Sequence, residues 1–166
     1  MIFYPKVYFE SVKDITIDFL KQNNINALIL DVDNTIIDYD KNIAPGVKEW
    51  CDDLKGQGIK FCILSNTNKI EKVKKAAEAL QLPYFYFAKK PSKGGFRKAI
   101  ALLNENAENI AAVGDQIFTD VLGANRCNLY PILVKPVDKR DIFTTKLKRP
   151  IENIVIKRYL ESIREE

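Results

Sequence analysis

The chain has 166 residues, with 26 Lys and Arg against 22 Asp and Glu and a net charge of +4. That length suits one domain with a real core and is short for two, and the longest apolar runs reach about half of the roughly 20 residues a membrane-spanning helix needs. There is no histidine, which excludes Ser-His-Asp triads, Cys-His pairs and HExxH zinc sites together.

Residues 1–10 are rich in aromatics (Phe3, Tyr4, Tyr8, Phe9) and broken by Pro5; they can pack on the domain or lie on a surface. The spacing predicts a helix from residue 11 or 16 to 23, with Ile15, Phe19 and Leu20 on one face. Residues 27–32 form an apolar run, which predicts a strand buried on both faces, as in a parallel sheet. Pro45 suits the first turn of the next helix, which carries Val47, Trp50, Cys51 and Leu54 at helical spacing and ends at Gly56 and Gly58. A second strand over 59–64 stops at the polar loop Ser65, Asn66, Thr67, Asn68. A Lys/Glu/Ala-rich helix follows to about residue 80, and Pro83 bars its extension. A short strand over 84–88 leads into Lys89-Lys90-Pro91-Ser92-Lys93-Gly94-Gly95 and a helix over 96–104. A strand over 110–113 ends in Gly114-Asp115, and a helix over 119–126 leads to a fifth strand over 130–134. After Pro136 the pattern weakens until a final helix over 151–163.

Strands that alternate with helices predict an α/β fold, a doubly wound and mainly parallel sheet of five strands. The expected organisation is a single domain over 1–166, with a catalytic core at about 26–134 and a basic segment at 135–166. In such sheets ligands bind beyond the carboxyl ends of the strands. Four polar clusters fall there: Asp31, Asp33 and Thr35; Ser65 and Asn66; Lys90; Asp115 and Asp120.

Burying the Asp31 and Asp33 carboxylates side by side is costly unless a cation or a proton compensates. Mg²⁺ is hard and prefers oxygen ligands. Asp31 and Asp115 are candidate side-chain ligands, the Asp33 backbone carbonyl a third, and Asp120 is placed to hold the metal or a water on it. An Asp carboxylate is a competent nucleophile toward phosphorus, so Asp31 is the candidate nucleophile, through an aspartyl-phosphate. Asp33, whose side chain is left off the metal, is the candidate general acid and base. Ser65 and Asn66 can hydrogen-bond phosphoryl oxygens, Lys90 adds positive charge, and Thr35 can orient the Asp31 loop or meet the phosphate.

Asp31-Val32-Asp33-Asn34-Thr35, Ser65-Asn66, Lys90-Pro91 and Gly114-Asp115-Gln116-Ile117-Phe118-Thr119-Asp120 resemble, in order, the four motifs of the haloacid dehalogenase superfamily. The likeness covers about residues 26–134. The Asp-Asn-Thr, Lys-Pro, Gly-Asp-Gln and Thr-Asp contexts, and the tail after Pro136, are similar to the YqeG family, which is related to the phosphatidylglycerophosphate phosphatases of mitochondria and plastids. The resemblance implies Mg²⁺-dependent phosphomonoester hydrolysis with the roles just given. It also favours Lys90, which precedes a proline, over Lys89 and Lys93. An acidic residue at position 33 is what the superfamily's phosphatases and mutases share and its ion pumps lack. The stretches between Thr35 and Ser65, and between Asn66 and Lys90, each hold one helix and one strand, which leaves no room for a cap domain. Capless members have open sites and often act on large or surface-bound substrates.

The leading expectation is dephosphorylation of phosphatidylglycerophosphate. The alternatives are a phosphatase for a soluble sugar phosphate or nucleotide, and a non-catalytic adaptor that binds RNA or a protein through its basic tail. Between residues 135 and 158 eight Lys and Arg face three Asp and Glu. Arg140, Lys146, Lys148 and Arg149, with Phe143 and Leu147 between them, are the candidates for docking on anionic lipid. No stacking platform supports nucleic acid as a partner. Trp50 is expected to pack rather than to act. The three cysteines are odd in number and scattered, as suits reduced thiols, with Cys62 a small hydrophobe on a buried strand. With no signal-peptide pattern at the start, the expected location is cytoplasmic, with peripheral attachment at a membrane surface as an extension of the lipid reading.

Overall fold

The computed structural model describes residues 1–140 and 146–164. Six strands form one sheet: β1 (Val7–Phe9), β2 (Ala27–Leu30), β3 (Lys60–Leu64), β4 (Tyr84–Phe85), β5 (Ile110–Gly114) and β6 (Tyr130–Val134). Their order across the sheet is β1-β6-β5-β2-β3-β4, with every pairing parallel. The central strand is β2, flanked by β3 and β5, so the apolar run from Ala27 is covered on both edges and both faces. The helices are α1 (Ile17–Gln22), α2 (Val47–Gly56), α3 (Ile70–Leu80), α4 (Lys93–Leu103), α5 (Leu122–Arg126) and α6 (Arg149–Ser162).

Side chains alternate between the two faces of a strand, and the core divides accordingly. Leu28, Leu30, Phe61, Ile63 and Val113 pack with Leu20, Cys51, Leu54, Val73 and Leu80 of α1, α2 and α3. Ala27, Ile29, Cys62, Leu64 and Ala112 pack with Phe96, Ala99, Leu103 and Ala124 of α4 and α5. Each buried Leu or Ile contributes about 1.5–3 kcal/mol relative to exposure. Burial pushes the Cys51 thiol up to about 11 and that of Cys62 to about 12. Trp50 packs edge-on against Phe61 and donates its indole N–H to the Ile15 carbonyl at 2.9 Å.

The sheet has one strand more than expected. The N-terminal aromatic segment pairs with β6 as an edge strand, Val7 opposite Ile132 and Phe9 opposite Val134. The helix expected from residue 11 or 16 is two pieces: a short 3₁₀ turn at Val12–Asp14 capped by Ser11, then α1 capped by Thr16, whose hydroxyl accepts from the Phe19 N–H at 3.2 Å. Helix α2 starts two residues after Pro45, because Gly46 lies in the left-handed region with φ 79° and serves as its N-cap. Helices α2 and α3 fill the stretches where a cap would be inserted, and none is present among the described residues. No helix of the described residues is long and apolar enough to cross a membrane. Phe143 lies outside the described residues.

Candidate active site

The loops beyond the carboxyl ends of β2, β3 and β5 meet in one cavity of about 720 Å³, lined among others by Asp31, Asp33, Asn66, Thr67, Lys90 and Asp115. Strand β2 ends at Leu30, and Asp31 keeps the register by donating its N–H to the Val113 carbonyl at 2.9 Å. The chain then turns through Asn34, which has φ 60°, a conformation that Asn tolerates better than most residues. The Asn34 amide also ties down the segment after β6: it accepts the Asp138 N–H at 2.7 Å and donates to the Arg140 carbonyl at 3.1 Å.

Lys90 lies between two carboxylates, 2.7 Å from Asp31 Oδ1 and 2.6 Å from Asp120 Oδ1, with only 3% of its side chain exposed. Asn66 fixes its main chain, accepting the Lys90 N–H at 2.6 Å and donating to its carbonyl at 3.0 Å. Burial pulls the Lys90 ammonium down, but Asp120 and Asp31 together hold it above its ordinary value. The Thr35 hydroxyl lies 3.1 Å from Asp31 Oδ2 and 3.3 Å from Asp115 Oδ1, so its single proton serves one of the two at a time.

Asp115 follows β5 and Asp120 lies within a wide π-helical turn over Ile117–Val121. The turn brings Asp120 back under Gly114, where a Cβ would lie 2.2 Å from the Asp120 carboxyl carbon; only glycine fits. Asp120 Oδ2 accepts the Gln116 N–H at 3.2 Å. Burial first, then the Asp31 charge, raise Asp115 well above the usual carboxylate range against the pull of Arg149. Burial likewise pushes Asp120 up to about 6, with Lys90 opposing. Asp33 stands apart from this group, paired with Lys72 of α3. Burial and the nearby Asp31 raise its carboxyl, and Lys72 opposes them.

Asp31, Asp115 and Asp120 each offer an oxygen within 4.8 Å of the others. Three buried carboxylates face two nearby cations, Lys90 and Arg149, and two of them are driven toward protonation. A hard divalent cation answers that surplus with the donor type it prefers. The residues present therefore fit a metal of the Mg²⁺ kind.

Several sequence-predicted residues reach the site differently from expectation. The Ser65 side chain is fully buried and accepts the Thr67 N–H at 3.3 Å; Thr67, not Ser65, lines the cavity. Thr35 is also buried, at 2% exposure, and meets carboxylates. Asp120 lies behind Lys90 rather than on the cavity wall. The structure adds Lys72, Arg149 and Glu152. Arg149, expected on a lipid-facing surface with its neighbours, points inward to the Asp115 carboxylate. Arg140 is held by Asp138 and Asp40 and stacks over Tyr39. Lys146, Leu147 and Lys148 are exposed, and Lys148 reaches the cavity mouth. Lys93 is the first residue of α4, while Lys90 is in the site.

Residues 40–128 match the family model of the haloacid dehalogenase-like hydrolases. The chain is 37% identical over 155 residues to the probable phosphatase YqeG of Bacillus subtilis (strain 168), covering 93% of this chain and 90% of that protein. Solved structures share the fold. One is an uncharacterized protein from Listeria monocytogenes serotype 4b, with TM-score 0.56 and 20% identity over 71% of this chain and 85% of that one. Another is the 3-deoxy-D-manno-octulosonate 8-phosphate phosphatase from Yersinia pestis, with TM-score 0.51 and 16% identity over 72% of this chain and 69% of that one. With the family model spanning more than half the sequence and a relative matched nearly end to end, the chain belongs to the haloacid dehalogenase-like hydrolases, in the branch that includes YqeG.

Proposed function

We propose that this protein is a Mg²⁺-dependent phosphomonoester phosphatase working through an aspartyl-phosphate, with phosphatidylglycerophosphate as its substrate. The observation that carries the reaction class is the division of labour between two neighbouring carboxylates. Asp31 sits with Lys90, Asp115 and Asp120, whereas Asp33 is drawn aside by Lys72.

In this reading an Asp31 oxygen attacks phosphorus from the cavity floor, and the bond to the leaving alkoxide breaks. Asp33, its carboxyl raised by burial and by Asp31, gives its proton to that alkoxide. It then takes a proton from water, which attacks the phosphorus of the aspartyl-phosphate and releases inorganic phosphate and Asp31. Lys90 holds Asp31 and offsets charge on the phosphoryl oxygens. Thr67 and the polar edge of Asn66 border the space those oxygens would enter. A divalent cation held by Asp31, Asp115 and the Asp33 carbonyl, with Asp120 against it, would supply the positive charge that neutralises the transferring group.

The lipid substrate is supported by the family relation, by the lack of a cap among the described residues, and by a cationic mouth. Lys41, Lys69 and Lys148 line the cavity beside Lys72 and Arg140, which are paired with Asp33 and with Asp40 and Asp138; these cations suit an anionic group beyond the scissile phosphate and an anionic surface around it. A cytoplasmic, peripherally attached enzyme fits this reading.

The test is phosphate release with Mg²⁺ from phosphatidylglycerophosphate in vesicles and from soluble phosphomonoesters. Faster turnover of the vesicle substrate is expected. Equal rates would sink the lipid assignment, and no release from any substrate would sink the enzyme assignment. Asp31→Asn is expected to abolish turnover with the fold intact; retained turnover would remove Asp31 as nucleophile. Asp33→Asn should slow both proton transfers and let acid-quenched phosphoenzyme accumulate from labelled substrate. An unchanged steady-state rate would remove its acid and base role.

A further inference from the structure

We propose that Arg149, the first residue of α6, is a positioning residue that aims the metal-ligating carboxylate of Asp115. The inference rests on reading Asp31, Asp115 and Asp120 as a metal centre. One guanidinium nitrogen donates to Asp115 Oδ2, and the other donates to the main-chain carbonyl of the same residue at 2.7 Å. The grip is therefore on side chain and backbone at once. A planar, forked guanidinium can hold both; a lysine ammonium offers a single point of charge. The Asp115 side chain is 0% exposed and that of Arg149 16%, so the contact lies where charge-assisted hydrogen bonds are strong.

Glu152, almost one turn further along α6, fixes the guanidinium from behind. Its Oε2 accepts from Arg149 Nη1 at 3.3 Å, and its Oε1 accepts the main-chain N–H of Phe118 at 3.1 Å. Glu152 is 1% exposed; a carboxylate is rarely buried so fully without such partners. Arg149 and Glu152 thus form a strut from α6 to both ends of the segment 115–118. The second oxygen of Asp115 lies 3.3 Å from the Thr35 hydroxyl, whose proton it shares with Asp31. Gripped by Arg149 at Oδ2 and at its own main-chain carbonyl, Asp115 is restrained against swinging away from Asp31 and Asp120. A carboxylate has about four lone-pair directions, so Arg149 and a cation can share it. Through Arg149 and Glu152, α6 in this respect supports the metal centre.

The test is calorimetric titration of the full chain with Mn²⁺, without substrate, comparing wild type with Arg149→Ala, Arg149→Lys, Glu152→Gln and Val155→Ala. Val155 packs α6 onto Ile117, Val121 and Leu133, so its truncation reports loosened helix docking alone. Removing such a support typically costs about 10–100-fold in metal affinity. That loss is expected in Arg149→Ala, with partial recovery in Arg149→Lys, a smaller loss in Glu152→Gln and wild-type affinity in Val155→Ala. Unchanged or tighter binding in Arg149→Ala overturns the proposal, as does an equal loss in Val155→Ala. Should Arg149→Ala fail to fold, Arg149→Lys and Glu152→Gln decide, and wild-type affinity in both overturns it. A wild type that binds no cation overturns the metal reading and this inference together. Binding in the wild type with no effect of Arg149 overturns this inference alone.

Discussion

Lys90 stands between two buried carboxylates, and it joins the fold to the chemistry. Its ammonium bridges Asp31, after β2, and Asp120, in the turn that follows β5, while Asn66, after β3, holds its backbone. Replacing it with the apolar Lys90→Met should act on two quantities. Removing one preorganised charge from a phosphoryl site lowers kcat by about 10²–10³-fold. Stranding two buried carboxylates costs about 3–5 kcal/mol of stability. Steady-state phosphate release and urea unfolding of the same protein check both; an unchanged kcat would remove Lys90 from the reaction. The carboxylates and Lys90 were legible in the sequence because each follows a strand and breaks an apolar or turn pattern. Lys72 and Arg149 were not, since each lies in a run of other cations and nothing local says which one turns inward. Glu152 did leave a trace. It shares a helix face with Val155, Ile156 and Tyr159, and an acidic residue on the face that packs is one that must find a buried partner.

At the scale of elements, the sheet was legible because β2, β3, β5 and β6 are short apolar runs between turn residues. The ends were less so. Strand β1 has only three half-buried residues, and its aromatics read equally as surface or core. The turn carrying Asp120 is shaped by close approach rather than by pattern. The same kind of approach governs how α5 meets α4. A Cβ on Gly123 would lie 2.2 Å from the Phe96 ring, and Phe96 is 1% exposed in the core beneath the sheet. Gly123→Ala should therefore destabilise the protein by about 1–3 kcal/mol through overpacking, although alanine is the better helix former. Adding Phe96→Leu makes room for the methyl and should recover part of that loss, so the two substitutions would not add. Thermal unfolding of both singles and the double checks this. Simple additivity, or a stabilised Gly123→Ala, would show that the ring is not what excludes a side chain there.

For the molecule as a whole, both ends of the described chain converge beneath the segment that carries Asp115 and Asp120. Phe3 meets Phe118 edge-on at 5.8 Å, and Tyr4 meets Tyr159 of α6 at 5.7 Å. Tyr8, Phe3, Val155 and Ile156 pack around Ile117, Val121 and Leu133, and Asn125 of α5 donates to the carbonyls of Ile2 and Tyr4. On the other face Phe9 packs edge-on against Phe19 at 5.2 Å. Strand β1 also covers the edge of β6, an edge that would otherwise offer unpaired backbone to another chain. Deleting residues 1–9 removes these ring contacts and that cover together. A loss of at least about 3 kcal/mol is expected, seen as a fall in Tm of about 6–12 °C at this chain length, with concentration-dependent association in size-exclusion chromatography. Phe3→Ala keeps β1 and removes the Phe3 ring from Phe118 and from the cluster around Ile117, Val121 and Leu133. It should leave the protein monodisperse while lowering turnover, because the main chain of Phe118 is where Glu152 takes hold. A truncated chain with unchanged Tm, or a Phe3→Ala variant with wild-type turnover, would mean that the segment bearing Asp115 and Asp120 stands without help from the N-terminal strand.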